Sequence, residues 1–371
     1  MPKSPYIDRL REGIAQAEDP AARGLRRAQL AAGYARLGEF DAAEEEISGL
    51  RAEFGDGRSG RVSIMIMCAE AQLIYYKNLG EKARDRMMRA QLLSVAGRDA
   101  ELSAITSAWL AHICFNLHRH EEMTRSAKTC LDTISVQDHE AASRLALTLG
   151  DAFYAAEQPN VGNRWYSKAH EHAVKLGDHS TIGALTYNRA AMGTFIARLQ
   201  SVDGPVDSAA ISRLTGEVRT AVNYQAIAQL ASLKALLDYS QASAAILAGQ
   251  FSDAATILER MVADKPSTSP IERHIVLQCD LALSLAKSNQ LDAAATLVRA
   301  LSLDHLVKCT PDDQVVASSA LASAAALCGL RDIQTAASDL LARAKQEHRA
   351  AVAALRQSLA AFGDAATIAR L

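Results

Sequence analysis

Four groups of residues have the types that catalysis or metal binding uses. Gly55-Asp56-Gly57-Arg58-Ser59-Gly60-Arg61-Val62 places two glycines, Gly55 and Gly60, at the separation found in phosphate-cradling loops. Such a loop needs a Lys and a Ser/Thr after the second glycine to reach phosphate and Mg²⁺, and a strand before the first. Arg61 and Val62 stand there instead, no strand pattern precedes, and Ser59 is not in a GxSxG elbow, so the stretch reads as a linker. His118 and His120 fall in a turn beside Glu121 and Glu122, and His170 and His172 bracket Glu171 on a helix. Helical residues two apart point to different faces, so this second pair cannot jointly grip a metal, and the histidines read as polar surface groups. Cys68, Cys114, Cys130, Cys279, Cys309 and Cys328 are widely spread with no CxxC pair. They read as reduced, mostly buried thiols, not as a disulfide frame or a zinc site. No catalytic residue, metal ligand or cofactor is assigned, and the reading is non-enzymatic.

Charge excludes a further class. Lys+Arg number 40 against 42 Asp+Glu, a net charge of −2, so no bulk field draws the protein to nucleic acid or anionic lipid. Lys77, Lys82, Arg84, Arg86, Arg89 and Arg98 form a basic stretch, but Glu81, Asp85 and Asp99 interrupt it, as on a solvated helix face. No run of about 18 apolar residues marks a membrane span. Asp8, Arg9, Arg11 and Glu12 leave no signal-peptide core in the first fifteen residues, so a cytoplasmic location is expected.

The elements that would carry any site are helices. Hydrophobic residues make up 49% of the 371 and aromatics only 5%, a composition suited to close helix–helix contacts. All eight prolines (Pro2, Pro5, Pro20, Pro159, Pro205, Pro266, Pro270, Pro311) stand at polar or Gly-containing breaks. Between them apolar residues recur at helical spacing, as in Leu277, Leu281 and Leu285.

A helix–turn–helix pattern repeats. It reads Leu30-Ala31, Tyr34, Leu37-Gly38-Glu39-Phe40, Ala42-Ala43, Ile47. It returns as Leu149-Gly150, Phe153, the turn Glu157 to Asn160, Gly162, Tyr166, Ala169, then as Ala248-Gly249-Gln250-Phe251, Ala254-Ala255, Leu258, Met261. A fourth copy is Leu281-Ala282, Leu285, Asn289-Gln290-Leu291, Ala293-Ala294, Val298, Leu301. Weaker copies turn at Leu79-Gly80, at His118 to His120, near Arg198 and at Gly329. Successive turns from Gly38 through Gly80, His118, Gln158 and Arg198 are 42, 38, 40 and 40 residues apart, and Gly249, Asn289 and Gly329 follow at steps of 40. Only Arg198 to Gly249, at 51, is out of step, where Ser201-Val202-Asp203-Gly204-Pro205 adds a loop. A fixed period of this size means stacked helix pairs, none of which buries its apolar face alone.

On these residues the sequence resembles tetratricopeptide repeat (TPR) proteins of the longer-period kind common in bacterial regulators, over residues 22 to 345. The alternative is an unrelated α-α superhelix or irregular helical bundle. The resemblance implies an all-α superhelical solenoid of about eight helix pairs. Residues 1–21 carry a leading helix, 22–200 and 217–345 the two runs of repeats, 201–216 an insertion or hinge, and 346–371 a C-terminal helix. In that last helix His348, Val352, Leu355, Leu359 and Phe362 follow a 4,3,4,3 spacing. It reads as a cap on the last repeat or as a dimerisation or docking helix.

The resemblance further implies that the first helices of the pairs line a concave groove that takes a protein or peptide segment. Their register projects His112, Phe115 and Asn116 into it from the third unit. The fourth adds Arg144, Leu147, Asp151 and Tyr154; the fifth Asn188, Met192 and Phe195; the sixth Tyr239, Ser243 and Ile246; the seventh Cys279 and Lys287. Arg144 and Asp151 could equally pair with each other. The Lys/Asn pattern by which some family members clamp a C-terminal carboxylate is not reproduced in any one unit. The expected function is a protein- or peptide-binding scaffold or adaptor. The alternatives are a peptide-gated sensor of a bacterial signalling, transcription or defence system and an accessory subunit of a partner enzyme.

Overall fold

The computed structural model describes residues 4–55, 60–228, 234–263 and 271–371, and among these the chain forms nineteen α-helices and no strand. The first nine are α1 (Pro5–Gln16), α2 (Pro20–Leu37), α3 (Phe40–Phe54), α4 (Gly60–Asn78), α5 (Glu81–Ala96), α6 (Ala100–Asn116), α7 (His120–Thr133), α8 (His139–Ala155) and α9 (Pro159–Leu176). There follow α10 (His179–Ser201), α11 (Ser208–Ala228), α12 (Lys234–Leu247), α13 (Phe251–Ala263) and α14 (Ile271–Lys287). The last five are α15 (Leu291–Ala300), α16 (Leu303–Leu306), α17 (Pro311–Leu327), α18 (Arg331–Leu359) and α19 (Ala365–Ala369). Eight consecutive pairs carry the repeat: α2/α3, α4/α5, α6/α7, α8/α9, α10/α11, α12/α13, α14/α15 and α17/α18. The first helices of the first five pairs begin at Pro20, Gly60, Ala100, His139 and His179, steps of 40, 40, 39 and 40.

The turn repeats atom for atom inside six of the pairs. Gly38, His118, Glu157, Gly249, Asn289 and Gly329 all adopt positive φ, between 55° and 84°. In each case that residue's N–H bonds to the carbonyl three back, and the next N–H to the carbonyl five back, as in Gly38 to Ala35 and Glu39 to Tyr34. This left-handed helix stop satisfies carbonyls that the helix end would orphan. Pro5, Pro20, Pro159 and Pro311 open α1, α2, α9 and α17, where the missing N–H costs nothing. Pro2, Pro266, Pro270 and the stretch Asp56 to Ser59 lie outside the described residues.

The two helices of a pair differ in burial. α6 is buried without a break from Leu102 to Cys114, and α8 from Ala141 to Tyr154. Their partners α7 and α9 bury one stripe each. First helices therefore form an inner layer, and the small residues are what let neighbours approach it. A Cβ on Gly150 would stand 2.3 Å from the Tyr166 ring, and one on Gly162 2.5 Å from that of Tyr154. Those two rings stack at 5.3 Å across the α8/α9 contact.

The chain divides into two compact units. Unit 1 comprises Met1–Leu185, Gln225–Ser232 and Leu355–Leu371; unit 2 comprises Thr186–Tyr224 and Leu233–Ala354. Of the segment expected as an insertion at 201–216, only 202–207 is non-helical. Asp207 caps the next helix by accepting from the Ala210 N–H, so Ser208 onward is already α11. The turn expected near Arg198 accordingly falls later, and Arg198 lies inside α10. At the other end, α18 runs unbroken for 29 residues and merges the last repeat helix with the expected C-terminal helix. The final segment then covers α9 in unit 1. Trp165 Nε1 donates to the Phe362 carbonyl at 3.1 Å, Arg164 to that of Gly363 at 3.2 Å, and Arg356 to that of Ala156 at 2.7 Å.

Candidate functional site

The inner layer of unit 1 converges on Trp109. Its ring carries the Arg144 guanidinium at 3.9 Å from the centroid and the Arg36 guanidinium at 5.9 Å. Arg36 is one residue from the end of α2, Trp109 is central in α6, Arg144 is in the second turn of α8 and Thr181 is at the start of α10. The contact line thus drifts from the C-terminal end of α2 through the middle of α6 to the N-terminal ends of α8 and α10. Arg36 is 4% exposed. It ion-pairs with Glu140 at 2.7 Å and faces Asp178 at 3.8 Å. Burial opposes its charge, but Asp178 and Glu140 hold its pKa well above the ordinary arginine value. Asp178 accepts from the Ser180 and Thr181 backbone N–H groups and hydroxyls at the start of α10. Burial pushes its carboxyl up, yet Arg36 and these donors hold it below the usual carboxylate range.

His112 lies beside this stack. Thr148 donates its only hydroxyl proton to the Arg144 carbonyl at 2.9 Å, so His112 Nδ1, 3.2 Å from Thr148 Oγ1, must be the donor there. Its Nε2 then accepts from Tyr75 O–H at 3.1 Å. Burial and the Arg144 charge push the imidazole pKa well below its ordinary value, so this ring is neutral.

Helix α1 closes the face. Tyr6 donates its hydroxyl to Glu140 at 2.8 Å, its N–H to the Gly177 carbonyl at 3.3 Å, and its ring lies 5.1 Å under the Arg36 guanidinium. Ile7 fills the space above Gly33, where a Cβ would stand 2.6 Å from Ile7 Cδ1.

Unit 2 carries its own inner node. Arg198 on α10 makes two 2.6 Å bonds to Asp280 on α14, and Tyr239 on α12 donates to the same carboxylate at 3.0 Å. Asp280 is fully buried. Burial works against the Arg198 charge, but Asp280 raises the guanidinium pKa above its ordinary value.

The residues projected from sequence separate into three groups. His112 and Arg144 join the Trp109 stack, and Tyr239 joins the Asp280 node. Asp151 accepts from Tyr166 O–H at 2.6 Å and Tyr154 donates to Asn163 at 2.9 Å, so both face α9. Phe115 packs 6.4 Å from the His120 ring on α7, and Asn116 donates to its own helix at the His112 carbonyl. Arg144 makes its hydrogen bond to Thr181, at 3.5 Å, and Asp151 makes its own to Tyr166. Asn188, Met192 and Phe195 are half-buried on α10, Ser243 is buried, and Lys287 is exposed with its Nζ 6.0 Å from the Phe251 ring. Tyr6, Arg36, Trp109, Arg198 and Asp280 were not projected. The one available signal was a lone charged or large aromatic residue inside a helix of small and apolar neighbours.

His172 is buried, against the surface position expected for it, with Nδ1 3.0 Å from His139 Nδ1; His170 is exposed. Burial and the neighbouring His118 push His120 down. Five cysteines are buried, Cys328 is half-buried, and burial raises Cys68 and Cys114 to about 12. A cleft of about 690 Å³ is lined by Arg51, Arg61, Arg86 and Arg89. Glu70 neutralises Arg51 and Arg86, and Asp99 pairs with Arg61 at 3.0 Å. Among the described residues no helix is long and apolar enough to cross a membrane.

No protein-family description and no curated protein matches the sequence. Among solved structures the chain is similar to the crystal structure of a Signal Transduction ATPase with Numerous Domains (STAND) protein with a tetratricopeptide repeat sensor from Pyrococcus horikoshii. The TM-score is 0.51 at 15% identity, over 97% of this chain and 54% of that one, so this chain spans about half that protein's length. At this identity the likeness is one of fold. With eight helix pairs, most of them at a period of about forty residues, and the same left-handed turn inside six of them, the fold is that of a TPR-like helical-repeat protein.

Proposed function

We propose that the protein is a non-enzymatic interaction module that binds a protein or peptide segment along the inner faces of its helix pairs. The observation that carries this is the inner layer itself: arginine, aromatic and amide side chains on first helices, held in register by the turns. On unit 2 the half-buried Asn188, Met192 and Phe195 on α10 supply both amide donors and acceptors and apolar contact, the combination an extended peptide needs. The buried acid–base groups are engaged in structural nodes, which supports a binding role over a catalytic one. A second reading, a sensor that alters its packing on binding a peptide, is favoured by the tetratricopeptide repeat sensor named for the STAND protein of similar fold.

Selection from a displayed random-peptide library tests the proposal. Enriched peptides are expected to lose binding at least tenfold on Asn188→Ala or Phe195→Ala, with far-UV circular dichroism unchanged. No enrichment by the folded protein, or binding indifferent to both substitutions, refutes it. Small-angle scattering with and without an enriched peptide checks the sensor reading, which predicts a change in profile.

A further inference from the structure

We infer that α1 is a displaceable ligand of the inner face of unit 1, and that a partner's amphipathic helix bearing an aromatic hydroxyl followed by a branched aliphatic residue docks in its place. The inference rests on the groove reading above and names the occupant for unit 1. α1 packs on its neighbour α2, with Ile7 at Gly33, and beyond that pair it reaches across to the fourth through Tyr6 at Glu140 and Gly177. It lies across the face as a bound segment does.

Its attachment is narrow. Of its twelve residues only Tyr6 and Ile7 are buried. Arg11 adds a 3.0 Å bond to Tyr34 O–H, and Arg26 donates to the Gly13 carbonyl. A helix of this length is marginal by itself, so it is helical because it is seated, and leaving the seat melts it.

The seat is also chemically incomplete. Arg36 Nε, Arg144 Nε and Trp109 Nε1 are buried donors with no acceptor, and Gln72 Oε1 is a buried acceptor with no donor. All three donors belong to the stack around Trp109. Tyr6 of α1 covers the Arg36 guanidinium without satisfying its Nε, and a buried group in that condition is costly. An incoming helix that reproduces the Tyr6–Ile7 contacts and brings a carboxylate or amide oxygen to the Arg36 Nε is the better occupant. The competitor it must beat is tethered, at an effective concentration of about millimolar.

The test uses the full chain and, as probe, a fluorescein-labelled synthetic peptide with the sequence of residues 4–17. Tyr6→Ala/Ile7→Asp weakens the tethered helix. By anisotropy this variant is expected to bind the peptide at least tenfold tighter than the unsubstituted chain, and adding Gly33→Leu, which fills the Ile7 slot, is expected to abolish that binding. Equal affinity of variant and unsubstituted chain, or binding unmoved by Gly33→Leu, overturns the inference. If the variant does not fold, hydrogen exchange on the unsubstituted chain decides. Amides of α1 are expected to exchange at least a hundredfold faster than those of α6, and equal protection overturns the idea. Library peptides are read at Asn188 and Phe195 on unit 2, so a failure here leaves that result standing and the reverse holds too.

Discussion

Burial and the Arg144 charge set His112 against a second proton. Nε2 already takes the Tyr75 hydroxyl proton, and the Arg144 charge stands beside the ring. In the unfolded chain the same imidazole titrates near 6.5. Below that pH the unfolded state binds a proton that the native state refuses, so the contribution of His112 is full above about pH 6.5 and declines as pH falls toward its depressed native value. His120 and His172 are depressed in the same direction. Urea denaturation is therefore expected to give lower stability at pH 5 than at pH 7, and His112→Gln to flatten the dependence by up to about 1.4 kcal/mol per pH unit. A parallel pH dependence in the variant counts against this account. Glycines give a second residue-scale contrast. Gly162→Ala drives a methyl into Tyr154 and is expected to cost about 1–3 kcal/mol. Gly216→Ala, in open space inside α11, is expected to stabilise by about 0.5–1 kcal/mol. Thermal melts separate the two. Gly150 and Gly162 are visible in the sequence because a small residue opposite a large one is a pattern. Arg36 is not, because a guanidinium one residue before a turn looks like a solvated charge until Glu140, 104 residues on, comes to meet it.

Among the elements, the pairs and their turns were the most legible part of the chain. The repeated pattern and its spacing mark Gly38, His118, Gly249, Asn289 and Gly329 as turns, and each is the left-handed residue of its pair. In the fourth pair the left-handed residue is Glu157, the first of the expected turn Glu157 to Asn160. Helix faces were less legible. One-sided projection works for α7 and α9, which bury a stripe, but α8 is buried all round, so its register cannot tell the Arg144 side from the Asp151 side. The node of Arg198, Tyr239 and Asp280 ties three first helices together and carries the clearest test at this scale. Asp280→Ala leaves a buried guanidinium uncompensated and is expected to cost about 3–5 kcal/mol. Replacing both partners, Arg198→Met with Asp280→Leu, is expected to recover most of that loss in chemical denaturation. If the double variant is as unstable as the single one, the pair is not acting through its charge.

In the molecule as a whole, the 51-residue step foretold an irregularity but not the division into units, because a helix such as α10 gives no local sign of where its contacts change. The C-terminal apolar spacing was equally visible, and Val352, Leu355, Leu359 and Phe362 are all buried. Their destination was not, since nothing local in the sequence links Phe362 to Trp165. Both tryptophans, Trp109 and Trp165, lie in unit 1. Indole fluorescence therefore follows that unit, while far-UV circular dichroism follows the whole chain. Phe362→Ala removes a ring from the cover of α9 and is expected to cost unit 1 about 3–5 kcal/mol. The fluorescence melt should then move to lower temperature and separate from the main dichroism transition. Coincident curves would show that the two units unfold together.

The cover of α9 also has a consequence during synthesis. Leu355, where that cover begins, is 179 residues beyond Leu176, where α9 ends. At about 5–20 residues per second a ribosome needs about 10–40 s to travel between them. For that interval the nascent chain presents the face of α9 around Trp165 without Phe362 over it, a surface open to chaperones and to neighbouring chains. Silent codon changes that slow or speed the stretch between Leu176 and Leu355 would lengthen or shorten the exposure, and the aggregated fraction of newly made protein would follow.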